Sequence, residues 1–184
     1  MTEIFLLSIA VIFHAYFGYP LSLYVIGRIS SKTHLKYSYY PNVTMIITAF
    51  NEEKRILKKI ENTLKINYPA DKFQVIVASD GSTDRTNDIA FSFRDKGIEL
   101  LDIQTRAGKE SAQKDALNMA RGEIIVFTDV ATMLDPTGIE NIVSNFADPQ
   151  IGCVSSEDRL VDRDGNPSGE GFYVRYEMML RRLE

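Results

Sequence analysis

Residues on which much metal and nucleophile chemistry depends are scarce in this chain of 184 residues. Cys153 is its single cysteine, so no internal disulfide can form, and a reducing compartment is permitted. His14 and His34 are its two histidines, and both lie outside the motifs described below. A zinc site or a histidine-dependent catalytic triad therefore has almost nothing from which it could be built.

An excess of basic charge is also lacking. The formal net charge is −4 at pH 7, from 21 basic and 25 acidic residues. Broad binding of nucleic acid needs a clustered basic face, so we expect no nucleic-acid partner. The hydrophobic share of 45% and the charged share of 25% are ordinary for a globular protein. The length suits about one domain with an appendage.

Charged residues are missing from Ile4 to Gly27, a run long enough to span the roughly 30 Å hydrocarbon core of a bilayer. The nearest flanking charges are Glu3 before the run and Arg28, Lys32 and Lys36 after it. This bias places the rest of the chain on the cytoplasmic side. A cleaved signal peptide would have a basic start, a shorter apolar core and a small-residue cleavage site, none of which is present. Because the run is too long for an ordinary buried helix, we predict a single-pass anchor in the cell (inner) membrane over residues 1–28.

Beyond the anchor, residues 29–41 are polar and aromatic and end in a proline, which predicts a linker along the membrane surface. Short apolar, β-branched runs then alternate with segments of helical periodicity. The predicted strands cover residues 42–48, 73–79, 98–103, 123–128 and 151–156. Strands that alternate with helices indicate a doubly wound, mainly parallel α/β sheet. We therefore assign residues 42–184 to one α/β domain.

The predicted helices cover residues 53–66, 109–120 and 136–146, and another begins near residue 83 with Ser82 or Thr83 as its N-cap. In the first helix the predicted buried face consists of Ile56, Leu57, Ile60 and Leu64. In the helix over 109–120, the small residues Ala112, Ala116 and Ala120 predict close packing on the sheet. The apolar side of residues 172–183 is typical of a core helix that packs against a further part of the protein, or of an interfacial helix.

Polar residues follow the predicted strands, where ligands bind in an open α/β sheet. Thr48, Ala49, Phe50, Asn51 and Glu52 close or follow the first strand, and Asp80, Asp102 and Asp129 lie at the ends of the next three. Such an edge predicts a site that recognises hydroxyl groups, a base edge and a metal. Taken singly, each of these residues could equally cap the helix that follows its strand.

Several other ligand-binding motifs are excluded at the same edge. The turn after the first strand contains no glycine, so the dinucleotide-binding fingerprint is absent. A P-loop is excluded because Gly108-Lys109 is followed by Glu110 and Ile103 occupies the upstream glycine position. There is no G-x-S-x-G nucleophile elbow, and no acidic pair of receiver type closes the first strand. The ligand that remains possible is a nucleotide bound by carboxylates, a metal and a lysine.

Four blocks of the sequence resemble family 2 glycosyltransferases in order and spacing. They are VTMIITAFNEE, VIVASDGSTDRT, RAGKESAQKDALNMARGEIIVFTDV and the tail GCVSSEDRL…GEGFYVRYEMMLRRLE. The resemblance covers residues 42–184 and is nearest to the membrane branch that includes cellulose and hyaluronan synthases. It implies a partial GT-A fold that binds a nucleotide-diphospho-sugar, usually UDP-linked. It further implies inversion at the anomeric carbon and transfer to a glycan or lipid acceptor.

The resemblance also implies roles for individual residues. Thr48, Ala49, Phe50, Asn51, Glu52 and Asp80 would hold the uracil and ribose, Lys109 would lie near the nucleotide, and Asp129 would begin the D-x-D motif that binds Mg²⁺ or Mn²⁺. These roles are chemically reasonable, because the Asp80 carboxylate can accept a hydrogen bond from an imide N–H. Asp129 offers a hard oxygen to a hard cation, which would stabilise the leaving diphosphate as a Lewis acid. Lys109 would add a point charge.

Two departures from the family pattern affect the expected chemistry. The motif reads Asp129-Val130-Ala131, so the second carboxylate is missing unless Thr132 or Asp135 substitutes for it. No residue is a convincing catalytic base. Glu157 and Asp158 are the nearest spare carboxylates, and a solvated loop pair is their ordinary explanation. We therefore expect a chain truncated before its base, or alternatively a non-catalytic nucleotide-sugar-binding membrane subunit.

Overall fold

The computed structural model describes residues 2–29, 35–156 and 172–181. The chain divides into two compact units. One unit is Leu35–Val154, and the other comprises Met1–His34 and Ser155–Glu184. Helix α1 (Thr2–Phe13), a π-helical turn (His14–Gly18) and helix α2 (Tyr19–Ile29) run without interruption in the second unit. Together they form a helix of 28 residues that is long and apolar enough to cross a membrane, and none of its most apolar stretch is buried.

The unit Leu35–Val154 is built on a sheet of four parallel strands: β1 (Val43–Ala49), β2 (Phe73–Asp80), β3 (Ile98–Ile103) and β4 (Ile124–Asp129). Their spatial order is β3-β2-β1-β4. The chain thus adds β2 and β3 on one side of β1 and then crosses to place β4 on the other. The prediction of a doubly wound parallel sheet is confirmed, as are four of the predicted strands to within two residues.

The predicted fifth strand over residues 151–156 is wrong. These residues form no sheet ladder in the described structure, and Gly152 and Cys153 are exposed. The Ile151 N–H donates to the Asp148 carbonyl at 3.0 Å, so the segment leaves a turn instead of entering the sheet. A short apolar run predicts a strand only where a neighbouring strand pairs with it, and no described strand does so here.

Helices α3 (Ile56–Thr63), α4 (Thr86–Phe91) and α5 (Lys109–Leu117) lie between the strands in the chain, and α6 (Gly138–Val143) follows β4. Residues of α3, α4 and α6 belong to one core cluster, together with Met45, Ile47 and Val77 of the sheet. On the opposite face, Ala112 and Ala116 of α5 lie against Ile46, Ile76 and Ala78. The predicted alanine contact is confirmed for Ala112 and Ala116, whereas Ala120 lies beyond the end of α5.

Two details of the predicted helices need correction. The buried residues of α3 are Ile56, Lys59, Ile60 and Thr63, whereas Leu57 and Leu64 are 44% and 41% exposed. The buried face therefore includes a lysine, because this side of α3 faces polar groups at the end of β4. Helix α4 begins at Thr86, two or three residues later than predicted, and neither Ser82 nor Thr83 caps it. Instead, an Asp84 carboxylate oxygen accepts from the Thr86 N–H at 3.0 Å.

Helix α7 (Phe172–Arg181) belongs to the same unit as the long apolar helix. The Tyr176 hydroxyl donates to the Tyr16 carbonyl at 2.9 Å, and the two rings lie 6.3 Å apart. Tyr16 lies in the π-helical turn, where the ordinary helical hydrogen-bond pattern is interrupted. The tail helix therefore has a contact within the chain itself, and its packing against a further part of the protein or on a membrane surface stays a prediction.

Candidate functional site

The carboxyl ends of β1 and β4 lie side by side where the strand order reverses. In the register of the sheet Thr48 pairs with Asp129, and Ala49 pairs with Ser79. This is the topological switch point at which open α/β sheets bind ligands. Two of the residues predicted for nucleotide and metal binding, Thr48 and Asp129, are therefore neighbours at this point.

Asp80 ends β2 and is 3% exposed. Its Oδ1 accepts a hydrogen bond from the Ala107 N–H and its Oδ2 accepts one from the Gly108 N–H, both at 2.8 Å. Backbone N–H groups that converge on a carboxylate make strong, charge-assisted hydrogen bonds. Asp80 thus ties residues 104–108, the loop between β3 and α5, to the end of β2.

Gly81 holds the same loop from the other side. Its N–H donates to the Ile103 carbonyl at 2.8 Å. Its φ of +68° is in the left-handed region, and a Cβ added there would lie 2.8 Å from the Arg106 backbone nitrogen. Both the conformation and the close approach require glycine.

The loop presents Arg106, a residue that the sequence-based prediction of the site missed. Its guanidinium carbon lies 3.8 Å from the centroid of the Phe50 ring, in a cation–π arrangement. Phe50 was among the predicted nucleotide-binding residues, and Arg106 begins the quoted block RAGKESAQKDAL. The sequence block could be identified, but the packing of Arg106 on Phe50 depends on the hydrogen bonds that Asp80 accepts from the loop.

Asn51 and Glu52 link the loop after β1 to the loop after β2. The Asn51 N–H donates to Ser82 Oγ at 3.1 Å, and Asn51 Oδ1 accepts from the Thr83 N–H at 2.8 Å. The Glu52 N–H donates to Thr86 Oγ1 at 2.7 Å. The Glu52 carboxylate accepts two hydrogen bonds of 2.6 Å from Arg55. In this structure both residues thus make intramolecular contacts that hold the loops together.

Ala49 and Thr48 differ in what they offer to a ligand. The Ala49 side chain is 3% exposed and packs in the core. Thr48 Oγ1 is buried and has no hydrogen-bond partner among the described residues. A buried hydroxyl without a hydrogen-bond partner costs folding free energy. Because Thr48 lies at the switch point, its hydroxyl is available to a ligand.

Lys109 and Asp129 are brought together as the sequence suggested. Lys109 begins α5 and Asp129 ends β4, and Lys109 Nζ lies 2.6 Å from Asp129 Oδ1. The two side chains are 55% and 54% exposed. An exposed ion pair contributes at most about 1 kcal/mol, so a stronger partner can displace it. Asp102, by contrast, accepts a hydrogen bond from Asn87 Nδ2 at 2.8 Å at the end of β3.

Asp129 is the principal candidate for a metal ligand. Among the described residues, no three histidine, cysteine or acidic side chains cluster as a metal site would require. The carboxylate of Asp135 accepts hydrogen bonds from the Thr137 hydroxyl at 2.7 Å and the Thr137 N–H at 2.8 Å, which lower the pKa of Asp135. One exposed carboxylate suits Mg²⁺ or Mn²⁺ bound jointly by protein and substrate phosphates. It does not suit a site made by protein ligands alone.

Lys59 lies beneath Asp129 and was also missed. Its side chain is fully buried, and its Nζ donates to Thr128 Oγ1 at 2.9 Å and to the Thr132 carbonyl at 2.6 Å. Burial lowers the pKa of Lys59 to about 8, while the charge of Asp129 acts in the opposite direction. A signal was present in the sequence, because Lys59 falls at helical spacing between Ile56 and Thr63 on the buried face. Glu157 and Asp158, the spare carboxylates, lie outside the described residues.

Comparison with known proteins places this chain in a family. The family model for Glycosyl transferase family 2 matches residues 44–182. The β-monoglucosyldiacylglycerol synthase of Synechocystis sp. is 29% identical over 119 residues, which cover 62% of this chain and 25% of that protein. The chain thus spans about a quarter of the length of this curated relative.

Solved structures of glycosyltransferases share the fold. The mannosyltransferase PcManGT from Pyrobaculum calidifontis, in complex with GDP-Man and Mn²⁺, has a TM-score of 0.69 and 31% identity. The similarity covers 80% of this chain and 46% of that one. For S. aureus TarS 1-349 in complex with UDP-GlcNAc the TM-score is 0.53 and the identity 26%, over 55% of this chain and 30% of that one.

The matched region contains all four strands and the polar carboxyl edge with Thr48, Asp80, Lys109 and Asp129. The neighbours share the GT-A fold, and the two described above were solved with nucleotide-sugars. The fold, the order of the motifs and the family match therefore agree. This chain belongs to glycosyl transferase family 2.

Proposed function

We propose that this chain carries the donor-binding part of an inverting glycosyltransferase that uses a UDP-sugar with the help of Mg²⁺ or Mn²⁺. The observation that carries the proposal is the convergence of Thr48, Asp129 and Lys109 at the switch point, beside the anchored end of β2. An unsatisfied hydroxyl, a carboxylate and an ammonium group are the groups that a nucleotide-diphospho-sugar needs. Inversion rests on membership of the family.

The nucleoside binds on the β1–β2 side of the edge. Thr48 offers its unpaired hydroxyl there, and the Phe50–Arg106 pair offers a flat, cationic surface. The oxygens of Asp80 already accept two backbone N–H groups, but each carboxylate oxygen has a further lone pair for an imide N–H. Asp80 thus has two roles, which are to hold the 104–108 loop and to accept a hydrogen bond from a ring N–H of the base.

The diphosphate binds on the β4 side. Lys109 exchanges its contact with Asp129 for the phosphates, and this frees the Asp129 carboxylate. The cation, when bound, stabilises the negative charge that develops on the leaving nucleoside diphosphate. Asp129 is the residue of this chain that would hold it, and the remaining ligands come from phosphate and water.

A guanine nucleotide is the second candidate donor. It is favoured by the similarity to PcManGT, which was solved with GDP-Man and Mn²⁺. Guanine, like uracil, presents a ring N–H to a carboxylate, so Asp80 alone does not discriminate between the two. The alternative of a non-catalytic binding subunit uses the same site, and it differs only in lacking sugar transfer.

The acceptor is a glycan or a lipid. Relatives named as acting on each include chondroitin synthase and β-monoglucosyldiacylglycerol synthase. The 28-residue apolar helix and the basic residues after it support an anchor in the inner membrane with the domain in the cytoplasm. Protease digestion of inverted and right-side-out vesicles tests the orientation. Cleavage of the domain from outside would contradict it.

Isothermal titration calorimetry tests donor binding on the full chain in detergent micelles, with UDP and GDP as ligands and with or without Mn²⁺. We expect UDP to bind more tightly than GDP, and Mn²⁺ to tighten binding in the parent chain. Asp71→Asn, an exposed carboxylate before β2, is the matched control and leaves binding unchanged. If neither nucleotide binds, or if Asp129→Ala and Asp80→Ala bind as well as the parent, the site assignment is wrong.

Transfer itself is tested with radiolabelled UDP-sugars and membrane extracts as acceptor. Incorporation into glycan or glycolipid by this chain supports the enzyme. Binding of nucleotide without incorporation, in the presence of Mn²⁺, agrees with a donor-binding part that lacks its catalytic base and with the non-catalytic alternative alike.

A further inference from the structure

We propose that Lys59 is a positioning residue of the donor site, which holds the turn that carries Asp129 so that its carboxylate faces the diphosphate and its cation. This inference rests on the proposed function. It concerns a residue that lies behind the site and does not itself touch the donor. It is carried by the hydrogen bonds of Lys59 and of Asn62, both on α3.

The Lys59 ammonium bridges the two ends of one turn. It donates to the hydroxyl of Thr128, the residue before Asp129, and to the carbonyl of Thr132, three residues after it. The Thr132 N–H donates to the Asp129 carbonyl at 3.2 Å, which closes the same turn. Asp129, Val130 and Ala131 are therefore enclosed between two contacts to a single buried group.

Asn62 extends this support by one more pair of bonds. Its Nδ2 donates to the Leu134 carbonyl at 2.9 Å, and its Oδ1 accepts from the Leu134 N–H at 2.8 Å. A side-chain amide that pairs with both backbone groups of one residue sets the position of that residue along the chain. Lys59 and Asn62 together thus hold both ends of residues 128–134 against α3, and we call this arrangement the α3 clasp.

A structural requirement for packing does not account for a lysine here. The side chain is fully buried beside Ile56 and Ile60, where methionine has a similar length and no charge to desolvate. Burying an ammonium group costs several kcal/mol unless it is hydrogen-bonded or paired. The partners that offset this cost are the two acceptors at the ends of the turn around Asp129, the Thr128 hydroxyl and the Thr132 carbonyl.

The missing second carboxylate makes this support important. With alanine at position 131, a cation depends on Asp129 as its one carboxylate from the motif. A carboxylate half exposed at a strand end can rotate away from the cation unless its backbone is held. The α3 clasp therefore acts on the part of donor binding that requires the cation. It has no direct route to the nucleoside, which lies on the β1–β2 side.

The test compares Lys59→Met with Lys58→Met, its exposed neighbour on α3, in the full chain in detergent micelles. UDP affinity is measured by calorimetry with and without Mn²⁺. We expect Lys59→Met to weaken binding in Mn²⁺ by about five- to tenfold and to leave metal-free binding within about threefold. Lys58→Met matches the parent in both conditions. An equal loss in both conditions, or no loss, overturns the inference.

A double-mutant cycle with Asp129→Asn identifies the residue through which Lys59 acts. In the Asp129→Asn background, Lys59→Met causes no further loss of Mn²⁺-dependent affinity, because both changes remove the same contribution. Additive losses would mean that Lys59 acts elsewhere, and would overturn the inference. If Lys59→Met fails to fold, Asn62→Ala takes its place with the same expected pattern and a smaller loss.

Hydrogen exchange tests the clasp without any nucleotide. We expect the amides of residues 130–134 to exchange at least about tenfold faster in Lys59→Met than in Lys58→Met, with the amides of β1 unchanged. Unchanged exchange in this segment overturns the clasp. Failure of the parent chain to bind UDP or GDP is seen before any variant is compared, and it overturns the proposed function and the link to the donor together.

Discussion

The two sides of the carboxyl edge hold their carboxylates in opposite ways. On the β2 side, Asp80 is buried and both of its oxygens accept backbone N–H groups of the following loop. On the β4 side, Asp129 is half exposed and its described partner is the exposed side chain of Lys109. The first carboxylate shapes the site permanently, because its partners are main-chain groups. The second has its partner in an exposed ion pair, which the proposed cation would replace.

This difference predicts different costs on mutation. Loss of a buried carboxylate leaves its donors without partners and affects folding as well as binding. Loss of an exposed one affects only the ligand that uses it. The predictions that follow test this contrast, from the largest expected effect to the smallest.

Asp80→Ala tests the buried side of the contrast. We expect the free energy of unfolding to fall by about 3 kcal/mol, since two charge-assisted hydrogen bonds are lost and the Ala107 and Gly108 N–H groups lose their acceptor. Urea unfolding of the full chain in micelles measures this. Asp88→Asn, an exposed residue on α4, is the control and should change stability by less than about 0.5 kcal/mol. Equal stabilities for the two variants would show that Asp80 does not anchor the 104–108 loop.

The pH dependence of stability tests the support beneath Asp129. Burial lowers the pKa of Lys59 to about 8 in the folded state, below its ordinary value of 10.5. Below pH 8 the lysine is protonated in both states, so the cost of burying its charge is fully present. As the pH rises from about 8 to 10.5, the folded state releases its proton first, so folding stability increases.

The increase is measured as the difference between the parent chain and Lys59→Met, so that other titrating groups cancel. We expect this difference to move by at most about 3 kcal/mol in favour of the parent over that range. Urea unfolding at pH 7.5, 9 and 10 supplies the values. A difference that does not vary with pH would mean that the pKa of Lys59 is not lowered by burial.

Gly81→Ala tests how tightly the 104–108 loop is packed. Gly81 and Gly97 both have positive φ, but only the Cβ at position 81 would meet backbone, 2.8 Å from the Arg106 nitrogen. Gly97→Ala therefore measures the cost of the backbone conformation alone, about 1 kcal/mol. We expect Gly81→Ala to cost about 1 to 2 kcal/mol more and to weaken UDP binding, as the loop moves away from the edge. Equal losses for both variants would show that the loop adjusts freely.

Asp129→Asn tests the exposed side of the contrast. We expect stability to change by less than about 0.5 kcal/mol, because the ion pair with Lys109 is exposed. UDP affinity in Mn²⁺ should fall about tenfold, or about 1.4 kcal/mol, with little change in metal-free affinity. Calorimetry and unfolding on one preparation give both values. A large loss of stability would mean that Asp129, like Asp80, has a structural role.

Arg106→Gln has the smallest expected effect. An exposed cation–π contact contributes about 0.5 to 1 kcal/mol, so UDP affinity should fall two- to fivefold with or without Mn²⁺. The insensitivity to metal distinguishes it from Asp129→Asn. A loss confined to Mn²⁺ conditions would place Arg106 on the diphosphate side of the site.

Local sequence patterns were sufficient to predict much of the fold. The runs that became β1 to β4 are short, apolar and bounded by polar residues. Strands β1 and β2 are almost fully buried, whereas β3 and β4, at the edges of the described sheet, are mostly half-buried or exposed. Ala112 and Ala116 of α5 likewise predict close packing on the sheet, because their side chains are small. Residues 151–156 have the same local pattern without a neighbouring strand, and the prediction there was wrong.

The sequence by itself determined the chemical groups at the carboxyl edge, since a residue that follows a parallel strand must lie at that edge. Thr48, Asp80, Asp129 and the α/β fold could therefore be predicted. The tertiary structure alone decided which of these groups are held by hydrogen bonds within the chain and which are available to a ligand. Asp80 is anchored by residues 107 and 108, and Asp129 is supported by a lysine 70 positions earlier. Burial and hydrogen-bond partners depend on what the rest of the chain brings to a residue, and no local pattern contains that information.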